Sequence, residues 1–464
     1  MNNFIDEEKI HSLIKQKENP IKSEIKRALN KALQLKGLDL EEVAALVSIK
    51  DKGLLKELFK TAFQIKNEIY GSRLVLFAPL YTSNHCSNNC LYCGFRKDNK
   101  GMKRRCLTID EIKQETKLIL QQGHKRILML MGESSEECSF DYFLKSIEAA
   151  YSVKDEKGSS IRRINIEIAP LTEEEFKKLS KARIGTYAVF QETYHEETYK
   201  KMHPFGKKSD YEWRLFTMDR ALKNGLSDVG IGALFGLYDY RFEVLALLQH
   251  AKHLDELYGI GPHTISIPRI EPAQNAPASQ KIPHPVSDDD FKKLVAVLRC
   301  AVPYTGMILS TREPAGMRQQ LFNLGVSQIS AGSKTNPGGY KETIINPENK
   351  GQFSISDTRS TGEIISSVIK QGFVPSFCTG CYRKGRVGKD FMELAKPGLI
   401  KLHCLPNALT TLKEYIVDYA DEETKKAGEA LIQKELSNIT SKERKNKTGE
   451  YLKKIENGER DLYF

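Results

Sequence analysis

The sequence predicts an α/β protein built on a closed (βα)8 barrel of the TIM type, with a helical N-terminal segment and a mainly helical C-terminal extension. Three observations predict it. Between residues 73 and 333 eight short apolar runs alternate with helical patterns. The runs are nearly continuous in apolar residues, as strands buried on both faces of a parallel sheet must be. The 464 residues also suffice for one barrel of roughly 250–350 residues with appendages.

Residues 1–70 are expected to be helical and to wrap the larger body. In "NPIKSEIKRALNKALQLKGLDLEEVAALVSI" the residues Ile25, Ala28, Leu29, Ala32 and Leu33 fall on one helical face, and Gly37 stops the run before the next helix. Strands are expected at 73–81, 126–132, 164–170, 186–192, 228–236, 263–269, 306–312 and 327–333. The stretches "LTIDEIKQETKLILQQG", "LTEEEFKKLS", "YEWRLFTMDRALKNG" and "DYRFEVLALLQHAKHLDEL" supply helices between them. Residues 334–355 are turn-rich, a helix is expected at 361–371, and "FCTGCYRKGRVGKDF" opens an extension ending in charged helices. The expected units are a helical segment at 1–70, the barrel at 71–371 and a C-terminal domain at 372–464 holding a second cysteine group.

Composition narrows the function classes. With 40% hydrophobic and 28% charged residues the chain is globular, and no apolar run reaches the length of a membrane span. The first residues lack the apolar core of a signal peptide, so a cytoplasmic protein is expected. The net charge of +11 sits partly in "FRKDNKGMKRRC" and in the tail "SKERKNKTGEYLKK". Lysines mixed with glutamates at helical spacing form solvated faces, and no aromatic residues interleave a basic stripe, so nucleic acid is not an expected partner. Nine cysteines in such a chain are expected as metal ligands or small hydrophobes rather than disulfides. Cys106, Cys138 and Cys300 stand apart and are expected as buried or half-buried side chains.

In barrels of this kind chemistry sits on the loops after the strands. Polar residues fall there throughout: the cysteine loop after the first strand, Glu133 after the second, "QETYH" after the fourth, "SIPR" after the sixth, "STRE" after the seventh and "SAGSKTNPGGY" after the eighth. Cys86, Cys90 and Cys93 are spaced C-x3-C-x2-C. Thiolates select zinc, copper or iron–sulfur clusters. Three of them on a cubane 4Fe-4S cluster leave one iron open to chelate the amino and carboxylate groups of S-adenosyl-L-methionine (SAM). The alternative is a zinc site borrowing a fourth ligand such as His85.

The triad, with Tyr92 before its last cysteine and its place after the first strand, resembles the signature of the radical SAM superfamily. The resemblance implies that Met131-Gly132-Glu133 stands where the superfamily has a glycine-glycine-glutamate stretch that meets the SAM amino group. Here methionine replaces the first glycine. It also implies cleavage of SAM and hydrogen abstraction from substrate by the released 5'-deoxyadenosyl radical.

Longer strings narrow the resemblance. "FQETYHEETYKKMHPFGKKSDYEWRLFTMDRA" resembles the aromatic-amino-acid lyases of the superfamily, while "DVGIGALFGLYDYRFEVL", "GPHTISIPR", "AVPYTGMILSTRE" and the ending "ENGERDLYF" are similar to FeFe-hydrogenase maturases of the HydG type. Cys378, Cys381 and Cys404 form a second triad, which the thiamine-pathway tyrosine lyases generally lack. Its basic surround in "YRKGR" suits an anionic cluster, and zinc with His403 is the alternative.

The HydG resemblance implies an auxiliary iron–sulfur cluster at this triad, with an extra, labile iron ligated by His263. It implies cleavage of the Cα–Cβ bond of L-tyrosine to p-cresol and dehydroglycine. The latter passes to the second cluster and yields carbon monoxide and cyanide for the hydrogenase H-cluster, as a cysteine-bound Fe(CO)2CN unit. Free cysteine, an electron donor and a maturation scaffold protein are the implied partners. A basic group must meet the tyrosine carboxylate: Arg312 is the first candidate, Arg269 the second, and Ser310 adds a hydrogen bond. Gln191, Glu192 and Tyr194 are candidates for orienting SAM or substrate. Two rivals stand beside this reading. A thiamine-pathway tyrosine lyase would not need the second triad, and a non-catalytic metal-binding protein would not cleave SAM.

Overall fold

A computed structural model describes residues 3–345 and 351–464. Eight parallel strands close into a barrel: β1 (Arg73–Ser83), β2 (Arg126–Met131), β3 (Arg163–Glu167), β4 (Tyr187–Ala188), β5 (Val229–Gly232), β6 (Thr264–Ser266), β7 (Gly306–Leu309) and β8 (Gln328–Ser330). Each strand pairs with the next, and β1 pairs with both β2 and β8, which completes the ring. All eight expected strands are present, most of them shorter than their apolar runs. The fourth shrinks to two residues, although backbone pairing with β5 continues as far as a bridge between Glu192, whose φ is 72°, and Ala233. A ninth strand, β9 (Val374–Ser376), adds to the outside of β1 through Arg73↔Val374.

The helices begin where side chains can satisfy their first N–H groups. Thr108 and Glu111 cap the helix Ile109–Gln121 reciprocally, and Thr172 with Glu175 does the same for Glu173–Leu179. The N-terminal segment is helical as expected, and Ile25, Ala28, Leu29 and Ala32 are buried. Leu33 is not: the helix ends at Ala32, and Leu33 is turned outward at 45% exposure. The helix expected near 361–371 spans Thr361–Lys370, and the chain ends in three helices over 401–418, 422–437 and 442–456. Part of the turn-rich stretch expected at 334–355 lies outside the described residues.

Alternation along the strands divides inside from outside. On β1, Val75, Phe77, Pro79 and Tyr81 line internal cavities, as do Leu128 and Leu130 on β2 and Arg163 and Glu167 on β3. The intervening Ile164, Ile166 and Ile168 are buried in the apolar core. The ends of β7 and β8 are tied by Arg299, fully buried in the helix Asp288–Ala301. Its guanidinium donates to the carbonyls of Pro303 (2.7 Å), Thr305 (2.8 Å) and Gly325 (2.7 Å). Arg299→Met keeps the apolar volume and strands three carbonyls. The expected cost is on the order of 3–5 kcal/mol, read as a lowered urea midpoint. An unchanged midpoint would refute this role.

Candidate active site

The cysteine triad lies on an irregular loop after β1, and backbone contacts with neighbouring loops fix its path. Ser87 N–H donates to the Glu133 carbonyl (2.8 Å), Leu91 N–H to Met202 (3.0 Å) and Gly94 N–H to Gln352 (2.9 Å). Arg104 donates to the carbonyls of Asn84 (2.7 Å), Phe95 (2.8 Å) and Arg96 (2.6 Å). Arg105 pairs with Glu111 (2.6 Å) and Glu342 (2.5 Å). Arg104 and Arg105 therefore build the loop rather than awaiting a polyanion.

Gly132 is required by space. A Cβ there would stand 2.2 Å from the carbonyl oxygen of His85, in the loop opposite. The Glu133 carbonyl accepts from both Ser87 N–H and Ser87 Oγ (2.9 Å), so it serves to hold the cysteine loop.

Cys90 is buried, and Cys86 and Cys93 are partly exposed. Burial pushes the Cys90 thiol up to about 12, so without iron it stays protonated. Among the described residues no three His, Cys, Asp or Glu side chains converge closely enough for one metal ion. Three thiols can each hold one iron of a cubane and leave the fourth iron open, so the donor set fits such a cluster. His85 has a different neighbour, Glu137, at 3.8 Å.

A cavity opens beside Cys93 into the barrel, lined by Tyr92, Glu167, Glu192, Ser310 and Arg312. The Tyr92 hydroxyl is 2.7 Å from His203 Nε2. Glu192, held at positive φ, is neutralised by Lys208 (2.6 Å) and Arg214 (3.5 Å). Those two cations hold its carboxyl below the usual range despite burial.

Arg312 stacks on Phe353, its guanidinium carbon 3.3 Å from the ring centroid, and forms no ion pair among the described residues. Arg269, the second candidate for the substrate carboxylate, is committed elsewhere. It binds Glu313 through Nε (2.8 Å) and Asp288 through Nη1 (2.8 Å). Gln191 and Tyr194 are also away from the cavity. Gln191 Nε2 donates to the Tyr211 carbonyl (3.4 Å), and the Tyr194 hydroxyl meets His250 Nδ1 (2.8 Å). Phe190 and Glu192 line the cavity and Gln191 falls on the other face by alternation, whereas the positive φ of Glu192 breaks that alternation and carries Tyr194 out toward Glu243 and His250.

The second triad meets the opposite end of the bore. Cys378, Cys381 and Cys404 line a small cavity with His263, Arg73, Arg126 and Arg163. Those three arginines are the first residues of β1, β2 and β3, a signal present in the strings "RLVL", "RILM" and "RINI" that sequence reasoning missed. The surround expected from "YRKGR" contributes less: Arg383 is bound to Asp461 (2.5 Å) and Arg386 to the Phe464 carbonyl.

Asp228 stands 3.4 Å from Arg163 and 3.6 Å from His263, while Arg73 and Arg126 have no ion pair among the described residues. Burial and the neighbouring Arg163 pull Arg126 down to about 9. The Arg73 Nε and His263 Nδ1 atoms are buried without hydrogen bonds. Burial pulls His263 down to about 4, which leaves a neutral imidazole. Cations in excess, orphaned donors and three thiols fit an anionic iron–sulfur cluster. His403 is not in the lining; its Nδ1 is 3.4 Å from Arg444 Nη1. The two cavities share strands: Val75 and Gln328 line the lower one, Phe77 and Ser330 the upper. They approach within about two residues, or ~7 Å of strand.

Residues 80–251 match the model of the radical SAM superfamily, and 266–374 that of the Biotin and Thiamin Synthesis associated domain. The 2-iminoacetate synthase of Escherichia coli is 33% identical over 76% of this chain and 89% of its own. A crystal structure of HydG, a maturase of the FeFe-hydrogenase, superposes with a TM-score of 0.96 at 50% identity, covering 100% of both chains. The chain belongs to the HydG family. The HydG of Carboxydothermus hydrogenoformans superposes with a TM-score of 0.84 at 40% identity over 97% of each chain.

HydG membership makes the chain a radical SAM enzyme, and SAM with a 4Fe-4S cluster are its cofactors. Among the described residues no helix is long and apolar enough to cross a membrane. One expectation about cysteines is corrected. Cys106 and Cys138 are not isolated in space but joined as a disulfide. An antiparallel bridge between Ser83 and Cys106 brings the chain back beside the loop after β2. Cys300 is a buried free thiol, as expected.

Proposed function

We propose that this chain is a tyrosine lyase of FeFe-hydrogenase maturation. It cleaves the Cα–Cβ bond of L-tyrosine to p-cresol and dehydroglycine, and dehydroglycine is converted to carbon monoxide and cyanide at a second iron–sulfur cluster. The observation that carries this reading is the pair of thiol triads at the two ends of one barrel bore. Residues 71–371 act as the catalytic barrel, 372–464 carry the second triad, and 1–70 wrap them.

Cys86, Cys90 and Cys93 would hold the 4Fe-4S cluster, and Gly132, Glu133, Tyr92 and Glu192 border the SAM site. When bound, the cluster and SAM supply the radical that takes hydrogen from the substrate amino group. Arg312, stacked on Phe353, offers its guanidinium to the tyrosine carboxylate, with Ser310 beside it. The apolar walls from Phe77, Leu128, Leu130 and Phe190 exclude water from the opened substrate. At the far end Cys378, Cys381 and Cys404 would hold the auxiliary cluster, and neutral His263 is the ligand available to an extra iron. Free cysteine, an electron donor and a scaffold protein complete the expected partners.

The test is anaerobic reconstitution with iron and sulfide, then incubation with SAM, dithionite and L-tyrosine. The expected products are p-cresol, carbon monoxide and cyanide together. p-Cresol with glyoxylate and no carbon monoxide would indicate the thiamine-type lyase. SAM cleavage without p-cresol would mean another substrate, and no SAM cleavage at all would mean a protein that only binds metal.

A further inference from the structure

One carboxylate in the upper cavity is unused by the reading above. Glu167 is the last residue of β3, paired in register with Leu130 and Ala188, and it turns inward with Arg163. Among the described residues its carboxylate has no ion pair or hydrogen bond, whereas Glu192 has Lys208 and Arg214 and Glu313 has Arg269. The ring order β1 to β8 places β3 diametrically opposite β7, and Arg312 follows β7. A ligand whose carboxylate sits on Arg312 and whose body crosses the bore therefore ends at Glu167.

We propose that Glu167 receives the phenol hydroxyl of tyrosine at the far wall of the cavity and takes its proton as the Cα–Cβ bond opens. The inference rests on tyrosine being the substrate. The walls between the two ends are apolar or aromatic, through Leu128, Leu130, Phe190 and Tyr81, which suits a phenyl ring. A phenol donating to a carboxylate makes a short, charge-assisted hydrogen bond, and Glu167, half-buried and unpaired among the described residues, is open to accept one.

The transfer balances by itself. The phenol O–H breaks, the carboxyl O–H forms, and no electron moves. The departing fragment keeps a negative oxygen conjugated with its benzylic carbon, and the carboxyl can return the proton to that oxygen. Burial and the nearby Glu192 push Glu167 up to about 7, while Arg312, Lys208 and Arg214 act the other way. An acid of that strength can both take and return a proton near neutrality. The same pairing would reject phenylalanine, which leaves the carboxylate without a partner.

Glu167→Gln and Glu167→Asp test the assignment in the reconstituted enzyme. The substrates are tyrosine and a ring-trifluorinated tyrosine whose phenol is already ionised at neutral pH. In Glu167→Gln, SAM affinity and substrate-free SAM cleavage should match the native protein, which also reports a folded barrel. p-Cresol from tyrosine should fall about 100-fold or more. The fluorinated substrate should react within about tenfold of its native rate, since no proton has to be removed. Glu167→Asp keeps the carboxylate and should recover part of the tyrosine activity.

The assignment is overturned if Glu167→Gln turns over tyrosine like the native enzyme, or loses both substrates alike. Weakened SAM binding would overturn it too, because Glu167 would then serve SAM. If the native enzyme itself makes no p-cresol, the tyrosine reading fails and Glu167 with it. A native enzyme that makes p-cresol beside a fully active Glu167→Gln removes the Glu167 assignment alone.

Discussion

Replacing Cys378 and Cys381 together with alanine is expected to abolish carbon monoxide and cyanide while p-cresol formation stays within a few-fold of native. Cys93 of the first triad and all three cysteines of the second line separate cavities at opposite ends of the barrel. Cα–Cβ cleavage needs the upper one alone. Every group proposed for tyrosine, from Arg312 and Ser310 to Glu167, lines the upper cavity, and none lines the lower. Retained p-cresol is also the control for folding, because it requires the barrel, the first cluster and the substrate site together. Dehydroglycine made by the variant should leave the protein and hydrolyse to glyoxylate. Loss of p-cresol as well would mean that the lower site shapes the barrel. The three arginines supply the reason such coupling could arise: β1, β2 and β3 each start with a buried cation, and without an anionic occupant these repel. Unchanged carbon monoxide would refute the second cluster outright.

The barrel was legible because its strands are buried on both faces, and continuous apolar runs carry that information locally. β9 was not. Its three residues, Val374 to Ser376, include a proline and owe their conformation to β1, three hundred residues earlier. The rim loops were legible as positions, since strand ends direct them, but not as partnerships. "STRE" and "SIPR" each offer an arginine, and only the fold shows that Glu313 from the first string neutralises Arg269 from the second. That leaves Arg312 as the arginine without an ion pair in the cavity lining. Gln191 failed for a simpler reason, the two-residue alternation that sends the neighbours of Glu192 outward, and Tyr194 because the positive φ of Glu192 breaks that alternation. The same alternation could have found Glu167. In "INIEIAP" the isoleucines and the polar residues take alternate places, so Asn165 and Glu167 had to share a face. In a barrel with an apolar outer face, that face is the bore. The Cys106–Cys138 pair had no such signal, because a bridge to Ser83 and a loop after β2 create it.

Arg312 carries the second large expectation. Arg312 is half-buried, its guanidinium stacked 3.3 Å from Phe353 and without an ion pair among the described residues, so a carboxylate entering the cavity finds it uncommitted. Burial draws its acidity toward the neutral form, while the Glu192 and Glu167 carboxylates across the cavity draw it back. Binding an amino-acid carboxylate replaces lost hydration with two parallel charge-assisted bonds. Arg312→Gln should therefore cost about 3–4 kcal/mol in transition-state binding, on the order of 10²–10³-fold in kcat/KM for p-cresol formation. Arg312→Lys keeps the charge but neither the fork nor the flat face on Phe353, so it should recover only part of the loss. SAM cleavage in the absence of tyrosine should be untouched in both variants. The discriminating measurement is tyrosine affinity beside that uncoupled cleavage. Weak tyrosine with normal SAM cleavage assigns Arg312 to the substrate carboxylate, and loss of both would move it to the SAM site. Normal kinetics would return the search to Arg269, which would first have to break with Glu313 and Asp288.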